Sequence, residues 1–136
     1  KSDPSENSRI NLTDDRDLIA RKIRKARTDS EPLPGTFSGL EGRAEAKNLI
    51  NIFAALSNQK AEKICADYEG KGFADFKRDL AELSVETLGP ITEEMSRLMS
   101  EKSYLDDILR EGAQSADKLA SPILKQVHEI VGFLRP

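Results

Sequence analysis

Few side chains in this sequence are of types that carry covalent or metal chemistry. There is one histidine, His128, and one cysteine, Cys65. A zinc-type site needs three or four clustered ligands, and one of each cannot supply them. No metal site is therefore expected. His128 points away from the apolar spacing of Ile123, Val127 and Ile130 and reads as an ordinary titrating surface side chain. Cys65 falls on the same helix face as Ala61, Ile64 and Tyr68 and reads as a small core residue, with nothing nearby to lower its pKa. A lone cysteine forms no internal disulfide, so a reducing, cytoplasmic compartment is expected. The carboxylate pairs Glu93-Glu94 and Asp106-Asp107 are adjacent residues of helical segments, where neighbours diverge, so neither pair aims two carboxylates at one point. Gly70-Lys71-Gly72 lacks the preceding strand and the spacing of a phosphate-binding loop; a turn that ends a helix explains it better. No catalytic constellation is complete.

The remaining candidate is electrostatic. Residues 16–27 hold six basic side chains and one acidic one, a local charge of +5 in a chain of net charge −3, which leaves −8 for the rest. Arg21, Arg24, Lys25 and Arg27 lie opposite the apolar positions of their helix and could run along a nucleic-acid backbone, where phosphates are bound by such charges. The alternative is a solvated face whose charges pair with acidic helices nearby.

The elements that must position these residues are helical. No stretch alternates with period two, so no sheet is predicted, and the expected class is all-α. The chain has 136 residues, 38% hydrophobic and 33% charged, enough for one modest core. No apolar run approaches the ~20 residues of a membrane span, and no secretory signal is seen. Thr13 and Asp14 are candidate N-caps for a helix over about 15–27, with the stripe Ile19, Ile23 and Ala26. Residues 29–43, rich in Pro and Gly, read as loop. A helix over about 43–56 carries Ala46, Leu49, Ile50, Phe53 and Leu56; Ser57-Asn58 is placed to cap a short helix over about 59–69. Two long helices follow, about 73–99 and 103–131. The first has the stripe Phe73, Phe76, Leu80, Leu83, Thr87, Ile91, Met95 and Leu98. The second has Leu105, Ile108, Gly112, Ala116, Leu119, Ile123, Val127 and Ile130. Each spans roughly 40 Å, and the short break between them predicts an antiparallel pair packed with the shorter helices. Pro90 and Pro122 should kink rather than end them, because the stripes continue across both.

Several segments, in order, resemble the C-terminal half of bacterial tryptophanyl-tRNA synthetases, which are class I aminoacyl-tRNA synthetases. They are DLIARKIRKARTDSE (17–31), KNLINIFAALS (47–57), YEGKGFADFKRDLAE (68–82), ETLGPITEEM (86–95) and ILREGAQSADKLA (108–120). The similarity covers nearly the whole chain. Lys1-Ser2-Asp3-Pro4 resembles the end of the KMSKS signature, the ATP loop of that class.

The resemblance implies a division of the chain into residues 1–14, the remnant of the KMSKS loop with its linker, and 15–136, a helical tRNA anticodon-binding domain. It implies that Lys1 and Ser2 are the last two signature residues and contact ATP. The ammonium would stabilise charge that grows on the phosphates as pyrophosphate leaves. It implies ATP with Mg2+ as a substrate of the intact enzyme, no further cofactor in this piece, and tRNA(Trp) as the partner of Arg21, Arg24, Lys25 and Arg27. The catalytic N-terminal half of the same protein would be a second partner, and the intact enzyme a homodimer. On this reading the chain is a piece cut inside the signature and is not active alone. Two other readings stay open: a free-standing helical protein-interaction module, and a nonspecific RNA-binding helical protein.

Overall fold

The computed structural model describes residues 5–132 and divides into two compact units, Lys1–Met95 and Ser96–Pro136. The described residues form five α-helices and no strand: α1 (Arg16–Lys25), α2 (Ala44–Ser57), α3 (Ala61–Asp67), α4 (Phe73–Ser100) and α5 (Lys102–Val131). Two short 3₁₀ turns, Glu6–Ser8 and Phe37–Leu40, lie in the connecting segments. The all-α class and the five expected helices are present. Glu101 alone separates the two long ones.

In the first unit α1, α2, α3 and the N-terminal half of α4 bury the faces that their spacing indicated. Ile19 and Ile23 are buried on α1, Ala46, Leu49 and Ile50 on α2, and Ile64 and Cys65 on α3. Phe73, Phe76 and Leu80 supply the N-terminal half of α4. Each buried Ile, Leu or Phe contributes about 1.5–3 kcal/mol. At the centre Phe76 packs edge-on to Tyr68 with ring centroids 5.1 Å apart, and Phe53 lies 5.6 Å from Phe76. The Tyr68 hydroxyl is half sheltered and donates to Asp79 Oδ2 at 2.7 Å. Burial, and then this bond to a carboxylate, push its pKa up.

The helix ends differ from expectation in two places. Asp15, not Thr13 or Asp14, caps α1: its carboxylate accepts the Leu18 N–H at 2.7 Å. Asp14 is instead drawn inside. Asn58 does not start α3; it ends α2 in the left-handed conformation at φ 53°, with its N–H on the Ala54 carbonyl. The N-cap of α3 is Lys60, which makes no side-chain cap bond. The Gly70 turn is a helix-ending turn as expected, with φ +72°, and its N–H donates to the Leu33 carbonyl at 2.9 Å.

Arg43 ties the two ends of the long loop before α2 together. The Arg43 guanidinium donates to both oxygens of Asp29 at 2.6 and 2.9 Å and to the carbonyls of Glu31 and Pro32. That fork explains why Asp29 titrates below the usual carboxylate range. Leu33 and Leu40 anchor the same loop in the core.

Two stripes differ from the sequence expectation. On the C-terminal part of α4, Thr87 and Ile91 are exposed, while Ser84, Gly89 and Thr92 are buried. The hydroxyls of Ser84 and Thr92 donate to the Leu80 and Gly89 carbonyls, so a helix face with small polar residues is buried without loss of hydrogen bonds. The Arg16 side chain covers Gly89: a Cβ there would meet its Cζ at 2.8 Å. Arg16 Nε donates to Glu93 Oε1 at 2.8 Å. In the second unit, α5 buries none of its described residues. Ile108, Leu119, Ile123, Val127 and Ile130, expected as packed core, are exposed, Ile130 at 83%. Both α4 and α5 run as single helices through their prolines, Pro90 and Pro122.

Candidate nucleic-acid interface

The basic face belongs to α1. Ile19 and Ile23 turn inward, and Arg21, Arg24 and Lys25 are exposed on the opposite side. Arg27, also exposed, follows the helix end at Ala26. The end is fixed by Lys77 of α4, whose Nζ donates to the Ala26 carbonyl at 2.6 Å and to the Thr28 hydroxyl at 2.9 Å. Burial lowers the Lys77 pKa.

The decisive property of the face is what it lacks. Arg21, Arg24, Lys25 and Arg27 make no ion pair with any described carboxylate. Other exposed cations do: Arg78 with Asp75 and Asp79, Lys63 with Asp67, Arg110 with Asp107. The reading in which this face is neutralised by nearby acidic helices therefore finds no support among the described residues. Lys25 and Arg24 also lie in the last turn of α1, where the helix dipole favours cations by about 0.3–1 kcal/mol. That local effect does not need Arg21 or Arg27. Arg21, Arg24 and Lys25 on the outer side of α1, with Arg27 just past its end, are exposed cations without an ion pair among the described residues, an electrostatic footprint suited to a polyanion.

The sixth basic residue of the cluster, Lys22, behaves differently and was not singled out by sequence. It occupies the inward stripe between Ile19 and Ile23, and its side chain is 3% exposed. Its Nζ donates to Asp14 Oδ2 at 2.5 Å, and Asp14 is 6% exposed. The signal was present: Lys22 is three residues after Ile19 and four before Ala26, on the apolar stripe itself.

The other candidates behave as ordinary structure. Cys65 is fully buried, and burial together with the Glu62 carboxylate pushes its thiol pKa up, away from nucleophile chemistry. His128 is half-buried beside Ser121, Leu124 and Lys125 on α5. Among the described residues no group of three or more His, Cys, Asp or Glu could hold a metal ion, and no helix is long and apolar enough to cross a membrane. Lys1 and Ser2, the two residues expected at ATP, lie outside the described residues.

Comparison with known proteins gives the face its context. The chain is 54% identical over 133 residues to a protein of Caulobacter vibrioides named tryptophan–tRNA ligase, a match that covers 98% of this chain and 39% of that protein. It is 49% identical to the Brucella melitensis protein of that name, over 99% of this chain and 38% of the relative. For Rickettsia conorii the identity is 45%, over 98% and 40%. The chain thus spans about two fifths of the length of the curated relatives it matches. The family described as "tRNA synthetases class I (W and Y)" matches residues 1–89, about two thirds of the chain, and the chain belongs to that family.

Proposed function

We propose that this chain is the helical part of a tryptophan–tRNA ligase, an enzyme that activates tryptophan with ATP and transfers it to tRNA(Trp) in the cytoplasm. The observation that carries the nucleic-acid role is the uncompensated cationic face of α1, in a chain whose relatives bear the name tryptophan–tRNA ligase over nearly its whole length. In this reading residues 1–14 hold the end of the signature loop and its linker, and residues 15–136 hold the anticodon stem region of the tRNA. Arg21, Arg24, Lys25 and Arg27 bind backbone phosphates, which positions the tRNA without reading its bases. The Lys1 ammonium, with Ser2, acts on ATP. Mg2+ accompanies ATP, and the lysine charge counters the negative charge that builds on the phosphates during adenylate formation. The tryptophan pocket and the rest of the ATP site are assigned to a catalytic N-terminal half of the same protein, and the intact enzyme to a homodimer.

The exposed apolar stripe of α5 supports a protein partner as well as a nucleic-acid one. The catalytic half is the partner this reading assigns to it. The test joins this chain to the catalytic half of a matching relative and measures tryptophan-dependent ATP–pyrophosphate exchange. Exchange by the joined protein, and none by this chain alone, is expected. A joined protein that folds and shows no exchange would falsify the reading.

A further inference from the structure

Asp14 and Lys22 join two parts of the chain that the proposed function places in different steps. Asp14 stands twelve positions after Ser2, at the end of the linker from the signature. Lys22 lies eight residues further on, inside α1. Around Asp14 the linker closes on itself: the Asp14 N–H donates to the Asn11 carbonyl at 3.0 Å, and the Asn11 N–H donates to Asp14 Oδ2 at 2.9 Å. That same oxygen accepts from Lys22 at 2.5 Å. Upstream, residues 7–10 border a cleft of about 320 Å³ whose other walls are Lys22 and Ile23 of α1, its C-cap Ala26, and Asn48, Leu49 and Ile52 of α2.

Formation of α1 does not need this pair, because Asp15 caps the helix and Ile19 and Ile23 bury its inner face. Nor is a buried ion pair an efficient source of stability, since desolvation offsets most of its attraction and apolar residues of similar volume serve as well. What it adds is geometry: one carboxylate oxygen holds both the Asn11 amide and the ammonium of α1, so the place where the linker meets the helix is fixed.

We propose that Asp14 and Lys22 are positioning residues for the nucleotide step: the buried pair fixes the anchor from which the signature residues reach ATP. The inference rests on the ligase reading above. Small displacements of a catalytic loop are costly to rate even when the substituted residue is far from the chemistry.

The test uses the full-length protein that carries this chain, with Asp14→Asn, Lys22→Met and the apolar double variant Asp14→Leu/Lys22→Met. The double variant keeps the site filled if a single one fails to fold. Tryptophan-dependent ATP–pyrophosphate exchange is measured against ATP and against tryptophan, with tRNA affinity alongside. The expected result is a fall of about tenfold or more in kcat/KM for ATP, with KM for tryptophan and tRNA affinity within about twofold, in every variant that folds. In each such variant hydrogen exchange at the Asn11 amide should rise. Wild-type ATP kinetics in a folded double variant would overturn the inference while leaving the ligase reading standing, as would an equal loss in all three measurements. Absence of exchange in the unsubstituted protein would overturn the ligase reading and the inference with it.

Discussion

Lys22 and Asp14 form an ion pair 2.5 Å long in which neither side chain is more than 6% exposed, inside a cluster otherwise turned toward water. Removing one partner leaves an uncompensated buried charge. Asp14→Ala or Lys22→Ala is expected to destabilise the first unit by about 3–5 kcal/mol, and Asp14→Leu/Lys22→Met to come within about 1–2 kcal/mol of the parent. Urea unfolding followed by circular dichroism checks both. A double variant as unstable as the singles would show that the pair is not the source of the cost.

The same pair sets an acid dependence. Burial alone would push the Asp14 carboxyl up, but its bond to Lys22, the Asn11 amide and the ammonium charge outweigh burial, and its pKa is lowered. A carboxylate with a lowered native pKa adds stability that is fully present above the unfolded value, about 3.9, and is lost as pH falls through the native value. The stability difference between the parent and Asp14→Asn should therefore be flat from pH 7 to about 5 and shrink only below about pH 4. Unfolding titrations of the two proteins across that range check it; a difference already shrinking at pH 6 would contradict it.

Arg21, Arg24 and Lys25 are exposed and unpaired among the described residues, so their replacement by Ala together should leave the fold intact. Binding to tRNA should weaken, and the slope of log affinity against log salt should flatten by about two to three units, near one for each phosphate no longer neutralised. Filter binding at several salt concentrations measures it. Unchanged affinity and slope would assign the face to solvent.

Gly89 offers a test of competing small effects. Ala at this helical position gains about 0.8–1 kcal/mol in propensity. Its Cβ displaces the Arg16 guanidinium and disturbs the bond to Glu93. Both partners of that pair are at least half exposed, and such pairs are worth about 0–1 kcal/mol. Gly89→Ala should be neutral to slightly stabilising by thermal unfolding, and a loss beyond about 1 kcal/mol would mean that Arg16 has nowhere to go.

Cys65 should be inert. With the thiol buried and its pKa raised, a disulfide reagent should react with it at neutral pH only as fast as the unit opens. Reaction as fast as in urea would contradict the placement.

What sequence conveys about this molecule follows its periodicity. Stripes of large apolar residues, such as Leu49-Ile50 and Phe73-Phe76-Leu80, locate the buried faces of the first unit, because burial of such side chains dominates helix orientation. The basic face is legible for the same reason, as its complement. Three features are not. Ser84, Gly89 and Thr92 make a buried face without large side chains, so no apolar signal marks it, whereas the apolar Ile91 beside it faces water. An acidic residue just before a helix usually caps it, which is what the position of Asp14 suggests; its partner eight residues on decides otherwise. And a stripe such as that of α5 reports amphipathicity, not what covers it. The family is legible in the order of segments such as YEGKGFADFKRDLAE, which periodicity alone does not supply.

The bare stripe of α5 also governs how this polypeptide behaves in a test tube. A helix of 30 residues with no buried side chain gets little help from packing, and water-facing Leu119, Ile123 and Ile130 invite any greasy surface within reach. Preparations of it should bind amphiphilic dyes, grow in hydrodynamic radius as they are concentrated, and be nicked by proteases along α5 first. A cell that made it unaccompanied would meet the same liability, and its chaperones would be the first to find it.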